Sequence, residues 1–204
     1  MRHGDADVEK LHKKEFVDWF SMRIEELYED GEANEHMMSL ANGPEFRAKH
    51  YPIYNVHGFR FHTSPRDVAK QTQNDGVMVK GEGHTEGCVP WYGKIKDIIE
   101  LRYTKGNRVF LFNCHWYDTA TEQTGYKVDS YGITSVNTRA MLNSDEPFVL
   151  ADQATQVYYI QEIKNSTWSF VVETKPRNVF EMPTKEEAQH GYTHDNQNED
   201  EDLE

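Results

Sequence analysis

At 204 residues and 37% hydrophobic content, the chain can bury one core of ordinary size. No apolar run approaches the roughly 18–20 residues a membrane helix needs, two cysteines (Cys88 and Cys114) make no disulfide framework, and the start MRHGDADVEKLHKKEF lacks the apolar core of a secretory signal. The formal charge of −13 belongs to the ends, with −5 over residues 1–50, −1 over 51–182 and −7 over 183–204.

Phe16, Trp19, Phe20, Ile24, Leu27 and Tyr28 recur at three- and four-residue intervals, with Asp18, Arg23, Glu25 and Glu26 between them. This spacing predicts an amphipathic helix stopped by Gly31. Its apolar stripe needs a cover, from its own domain or from a separate chain. A second helical piece is expected over Glu35 to Leu40, ended by Asn42-Gly43-Pro44. The two make a helical N-terminal arm over residues 1–50.

From Tyr51 the pattern turns to strands. Tyr54, Val56, Phe59 and Phe61 read as strand with a break at Gly58, and Val77 to Lys80 as another, with TSPRDVAKQTQNDG between them as an exposed loop. Residues 89–119 read as a hairpin, with Lys105-Gly106-Asn107 as a tight turn carrying a positive φ at Gly106 or Asn107. In its second strand Phe110, Phe112, Cys114 and Trp116 share one face, while Leu111, Asn113, His115 and Tyr117 share the other. Further strands are expected at Ile133–Val136, Phe148–Leu150, Val157–Ile160 and Trp168–Glu173. Residues 183–204 are too polar to offset chain entropy and read as a disordered acidic tail. The expectation is an α+β, mainly β domain over 51–182, a small barrel behind one amphipathic helix.

Catalytic constellations are not legible. His84, Cys88, Cys114 and His115 offer zinc-binding atoms, but Cys114 and His115 are adjacent and project to opposite faces of a strand. Cys114 between aromatics reads as a small buried hydrophobe. Asp118, Asp129, Asp145 and Asp152 are conceivable magnesium ligands for a metal-dependent nuclease, but carboxylates between strands are mostly turn formers. No phosphate loop is present, and no catalytic residue, metal or cofactor is expected. The remaining resources are aromatic and basic. Trp91, Tyr92, Tyr117 and Tyr131 are candidates for an aromatic binding surface. Residues 47–108 hold 11 basic and 6 acidic residues, which makes Arg60, Arg66, Lys94, Lys96, Arg102, Lys105 and Arg108 candidate nucleic-acid contacts.

The ordered blocks HKKEFVDWF, ANGP, YNVHGFRFHT, QTQNDGVMVKGE, WYGKIKDIIELRY, VFLFNCHWYDT, KVDSYGITSVN, DEPFVLADQATQVYYI and VVETKPR carry a resemblance. Over about residues 12–182 they resemble a domain of unknown function near the C-terminus of proteins encoded by plant CACTA (En/Spm-type) transposons. The chain departs from that pattern at Trp91-Tyr92-Gly93-Lys94 and at Asn137-Thr138-Arg139, and is expected to stand without the upstream transposase portion. Hydrophobic order alone is also similar to bromo-adjacent homology domains, which are built on an SH3-like barrel. The resemblance implies a transposon origin and a plant source and supplies no catalytic residues; together with the aromatic candidates and the apolar helix stripe, the expectation is a non-enzymatic module making protein or chromatin contacts, with other transposon-encoded or chromatin proteins as partners. The alternative is a DNA-binding accessory domain of a transposase. Either implies an intracellular protein, in the nucleus rather than the cytoplasm and away from membranes.

Overall fold

The computed structural model describes residues 4–70, 72–81, 90–143, 147–163 and 165–176, and only the backbone of 4–10 and 13. His84, Cys88, Asp145 and the acidic tail lie outside the described residues.

Two helices lead the chain. Helix α1 spans Gly4–Glu29 and ends where Gly31 turns to φ 75°, the Glu32 amide reaching back to the Leu27 carbonyl at 2.8 Å. Helix α2 spans Glu35–Ala41, and the Asn34 carboxamide oxygen caps it by accepting from the amides of His36 and Met37 at 3.0 Å each. Within the apolar stripe of α1, Ile24 is the buried residue. Its contact with α2 includes a hydrogen bond from the Ser21 hydroxyl to the Ala41 carbonyl at 2.7 Å.

The rest is mainly β. Strands β1 (Lys49–Tyr51), β2 (Ile53–Val56) and β3 (Phe59–His62) precede a short helix α3 (Ser64–Asp67). Strands β4 (Gly76–Val79), β5 (Trp91–Arg102), β6 (Arg108–Trp116), β7 (Tyr126–Val128), β8 (Thr134–Asn137), β9 (Phe148–Leu150), β10 (Ala154–Gln161) and β11 (Trp168–Glu173) follow. They form a strongly curled antiparallel sheet, a half-barrel in the order β7-β8-β11-β10-β4-β5-β6-β9, with β1 alongside β5 and β2–β3 as a separate hairpin.

The β5–β6 hairpin sets the frame. Gly93 lies opposite Trp116 and Ile95 opposite Cys114, but then the register slips, so that Asp97 faces Asn113. Lys96 is the extra residue of this β-bulge. Before it, odd positions Gly93 and Ile95 are buried; after it, even positions Ile98 and Glu100 are. A single inserted residue thus keeps one side of the long strand on the core. At the hairpin turn the positive φ falls on Lys105 and Gly106 (62° and 78°), whereas Asn107 is extended at −65°.

Two apolar clusters fill opposite faces of the sheet. Val77 joins Phe59, Phe61, Ile95, Ile98, Phe112, Cys114 and Trp116 under the β2–β3 hairpin, with the rings of Phe61 and Phe112 4.9 Å apart. The next residue, Met78, points the other way into Tyr92, Tyr117, Val136 and Val157, where the sheet curls over itself. The segment expected as an exposed loop is tied down instead. His62 Nδ1 lies 2.7 Å from an Asp67 carboxylate oxygen, both residues are buried, and the Asn74 amide donates to the other oxygen.

Phe112 is fully buried between β3 and β5. Truncating Phe112→Ala leaves a cavity that costs about 3–5 kcal/mol. Urea denaturation should show the midpoint falling with an unchanged slope, and a loss under about 1 kcal/mol would mean that the site collapses or is not core.

Candidate functional site

Of the four aromatic candidates, the structure leaves two at the surface. Tyr92 and Tyr117 are both only 5% exposed, inside the second apolar cluster, so they are core residues and not part of a binding surface. The cause is the curl: the face of the hairpin opposite Phe112 is covered by β8 and β10 rather than by water. Burial pushes both phenols above their ordinary range. Tyr131 is exposed but sits in the β7–β8 turn, away from the hairpin.

Trp91 opens β5 and remains 44% exposed. Its ring meets that of Trp116 edge to face, centroids 6.2 Å apart and planes at 80°. Trp116 is held from two sides. Its Nε1–H donates to the Pro147 carbonyl at 3.2 Å, and its ring lies over Gly93 across the ladder. A Cβ on Gly93 would stand 2.7 Å from that ring and 2.6 Å from the His115 carbonyl, so only glycine lets the indole lie there. Around the pair, Val79, Lys80, Gly81, Phe148, Val149 and Gln153 complete an open slot of about 300 Å³. Phe148, 52% exposed, belongs to β9, which pairs with β6 at one end of the strand order. A second depression of about 460 Å³ beside Asp75, Tyr158 and Tyr159 is more polar, and its Asp75 already pairs with Lys94 at 3.2 Å.

The basic candidates are scattered and mostly engaged. Lys94 pairs with Asp75, Lys105 with Glu35 at 2.9 Å, and Arg102 donates to Glu100 at 2.9 Å with Arg108 3.9 Å from the same oxygen. Arg66 is half-buried on α3. Arg60 on β3 and Lys96 on the bulge are exposed, on different elements. Four of these seven candidates thus lie against the protein's own carboxylates.

Cys114 is buried, which pushes its thiol far above the ordinary range, while His115 on the other face is exposed. Asp129 accepts from the amides of Tyr131 and Ile133, and Asp118 from that of Ala120, as turn formers do. Among the described residues no three acidic, histidine or cysteine side chains cluster as a metal site.

Glu100 could not be found from the sequence, because the bulge that turns it inward is invisible there. The Tyr51 hydroxyl, then Arg102, holds its carboxyl below the usual 4.5. A depressed folded value means stabilisation that is present above the unfolded pKa and lost as pH falls through the folded one. Between about pH 5 and 3 the wild type should lose stability more steeply than Glu100→Gln, read from urea midpoints. Parallel profiles would show that this carboxylate does not drive the acid loss.

Residues 99–171 match the family model for a domain of unknown function, DUF4216. The matched span runs from within β5 to within β11 and so covers the wall of the slot made by Trp116, Phe148, Val149 and Gln153, but not Trp91. No curated protein and no solved structure matches the chain.

Proposed function

We propose that this chain is a non-enzymatic interaction module that takes a segment of a protein partner across the Trp91–Trp116 slot. The observation that carries this reading is the exposed Trp91, set edge-on to a Trp116 that is itself fixed by a hydrogen bond and by Gly93. A rigid, half-exposed indole in an apolar recess is the usual anchor of a protein contact. The short strand β9 at the end of the sheet adds a backbone edge along which an extended segment can pair, with Phe148 beside it. The exposed indole of Trp91 and the ring of Phe148 suit a long aliphatic or cationic side chain. The slot lies at the small end of cofactor-sized cavities, which favours one side chain over a whole cofactor.

The resemblance to plant CACTA transposon-encoded proteins supports a transposon origin, nuclear localisation and chromatin or transposon-encoded partners. The curled mainly β body supports an SH3-like or bromo-adjacent-homology-like barrel as its fold. A second reading, an accessory DNA contact, rests on Arg60 and Lys96, which remain exposed. It predicts low-salt binding that weakens steeply as salt rises.

A panel of immobilised peptides, including histone tails with methylated and unmodified lysines, tests the first reading. Trp91→Ala should weaken the best binder at least roughly tenfold with unchanged folding, since an anchor of this kind is worth about 2 kcal/mol. Binding that ignores Trp91, or no binding at micromolar concentration, defeats the reading. A gel shift on duplex DNA at low salt decides the second.

A further inference from the structure

Helix α1 carries more apolar surface than the body covers. Leu11, Phe16, Val17, Trp19 and Met22 are exposed, Trp19 by 54% and Val17 by 66%. Leu11, His12, Glu15, Phe16 and Trp19 border a shared concavity of about 390 Å³, and the ring of Phe16 lies 5.9 Å from Trp19 and 5.7 Å from Phe20. At about 100° per residue, His12, Glu15, Trp19, Arg23 and Glu26 fall within one narrow arc, flanked by Phe16 on one side and Met22 on the other. Ile24, which is buried, lies well round the helix from that arc. This is an unpartnered face with its own centre at Trp19.

Its charges identify the occupant. Along the exposed arc Glu15 lies toward one end and Arg23 toward the other, with Arg23 also paired to Glu26 of its own helix at 2.9 Å. A second α1 laid antiparallel, with the two-fold axis at Trp19, brings residue i opposite residue 38 − i. That register sets Trp19 on Trp19, Phe16 on Met22, Glu15 on Arg23 and His12 on Glu26, all on the exposed face. A parallel pair would set like charges together along the whole length. We propose that α1 is a dimerisation helix, joining two copies of this chain in this antiparallel arrangement over residues 9–29, about 31 Å. The inference is independent of the Trp91 slot.

Sedimentation equilibrium of the full chain between about 1 and 100 µM tests it. The expected result is a dimer that Trp19→Glu converts to monomer with unchanged circular dichroism, while Trp91→Ala stays dimeric. Glu15→Arg and Arg23→Glu alone should each raise the dimer Kd roughly tenfold, and the double variant should restore it, because both cross-pairs are then exchanged in sign. A monomer at the top concentration, or a dimer indifferent to Trp19→Glu, overturns the proposal. Failure of the double variant to rescue overturns the antiparallel register, since in a parallel pair residue 15 meets residue 15 and residue 23 meets residue 23, so each change only exchanges one like-charged pair for another.

Discussion

One extra residue in a strand organises this fold. Without the bulge at Lys96, the alternation that buries Gly93 and Ile95 would carry Asp97 and Ile99 inward and turn Ile98 and Glu100 outward. The bulge resets the phase, so β5 presents its core side over its whole length to β2–β3 and β6. It also turns one carboxylate inward, and Glu100 is tolerable there because Tyr51 and Arg102 supply the hydrogen bonds that water would have supplied. A bent, bulged strand also favours the curl that lets β4 bury Val77 on one face and Met78 on the other.

That double burial accounts for the division between structural and available aromatics. On an open sheet with one wet face, Tyr92 and Tyr117 would be surface residues. Once β8, β10 and β11 fold round, they become core, and Tyr159 closes over Tyr117 with ring centroids 5.3 Å apart. Trp91 escapes because it begins its strand. Its partner Trp116, on the first-core side, remains as the wall behind it.

The alternation of Phe110, Phe112, Cys114 and Trp116 was readable because a period of two states which face is apolar, and it separates Cys114 from His115 correctly. Helix α2, the end of α1 and strands β4, β8, β9, β10 and β11 were legible to within a few residues for the same kind of reason, whereas α1 begins twelve residues before Phe16, where the apolar stripe was read to start. The bulge was not, since Ile98 and Ile99 are adjacent isoleucines and either phase reads as apolar. Strands β1 and β7 are three residues each and owe their existence to β5 and β8, not to local pattern. The polar TSPRDVAKQTQNDG segment reads as solvent-facing, yet Asp67 and Asp75 are buried by partners that lie elsewhere in the chain or across a turn. Lys105 shows the same limit for function: its charge is visible in the sequence, but its pairing with Glu35 on α2 is not.

That pairing has a mechanical consequence. Glu35–Lys105, the His36–Asn107 contact at 3.0 Å and the hydrogen bond from Ser39 to the Thr104 carbonyl fasten α2, and α1 through it, to the turn of the β5–β6 hairpin. The Trp91 slot lies at the opposite end of the same hairpin, a strand of 12 residues and so about 40 Å away. The helical arm and the slot are thus the two ends of one stiff spacer, and an occupant of one does not crowd the other. Two chains joined through their arms would hold their slots far apart, suited to a partner that repeats its binding segment at a matching interval, where avidity replaces strength at any single slot.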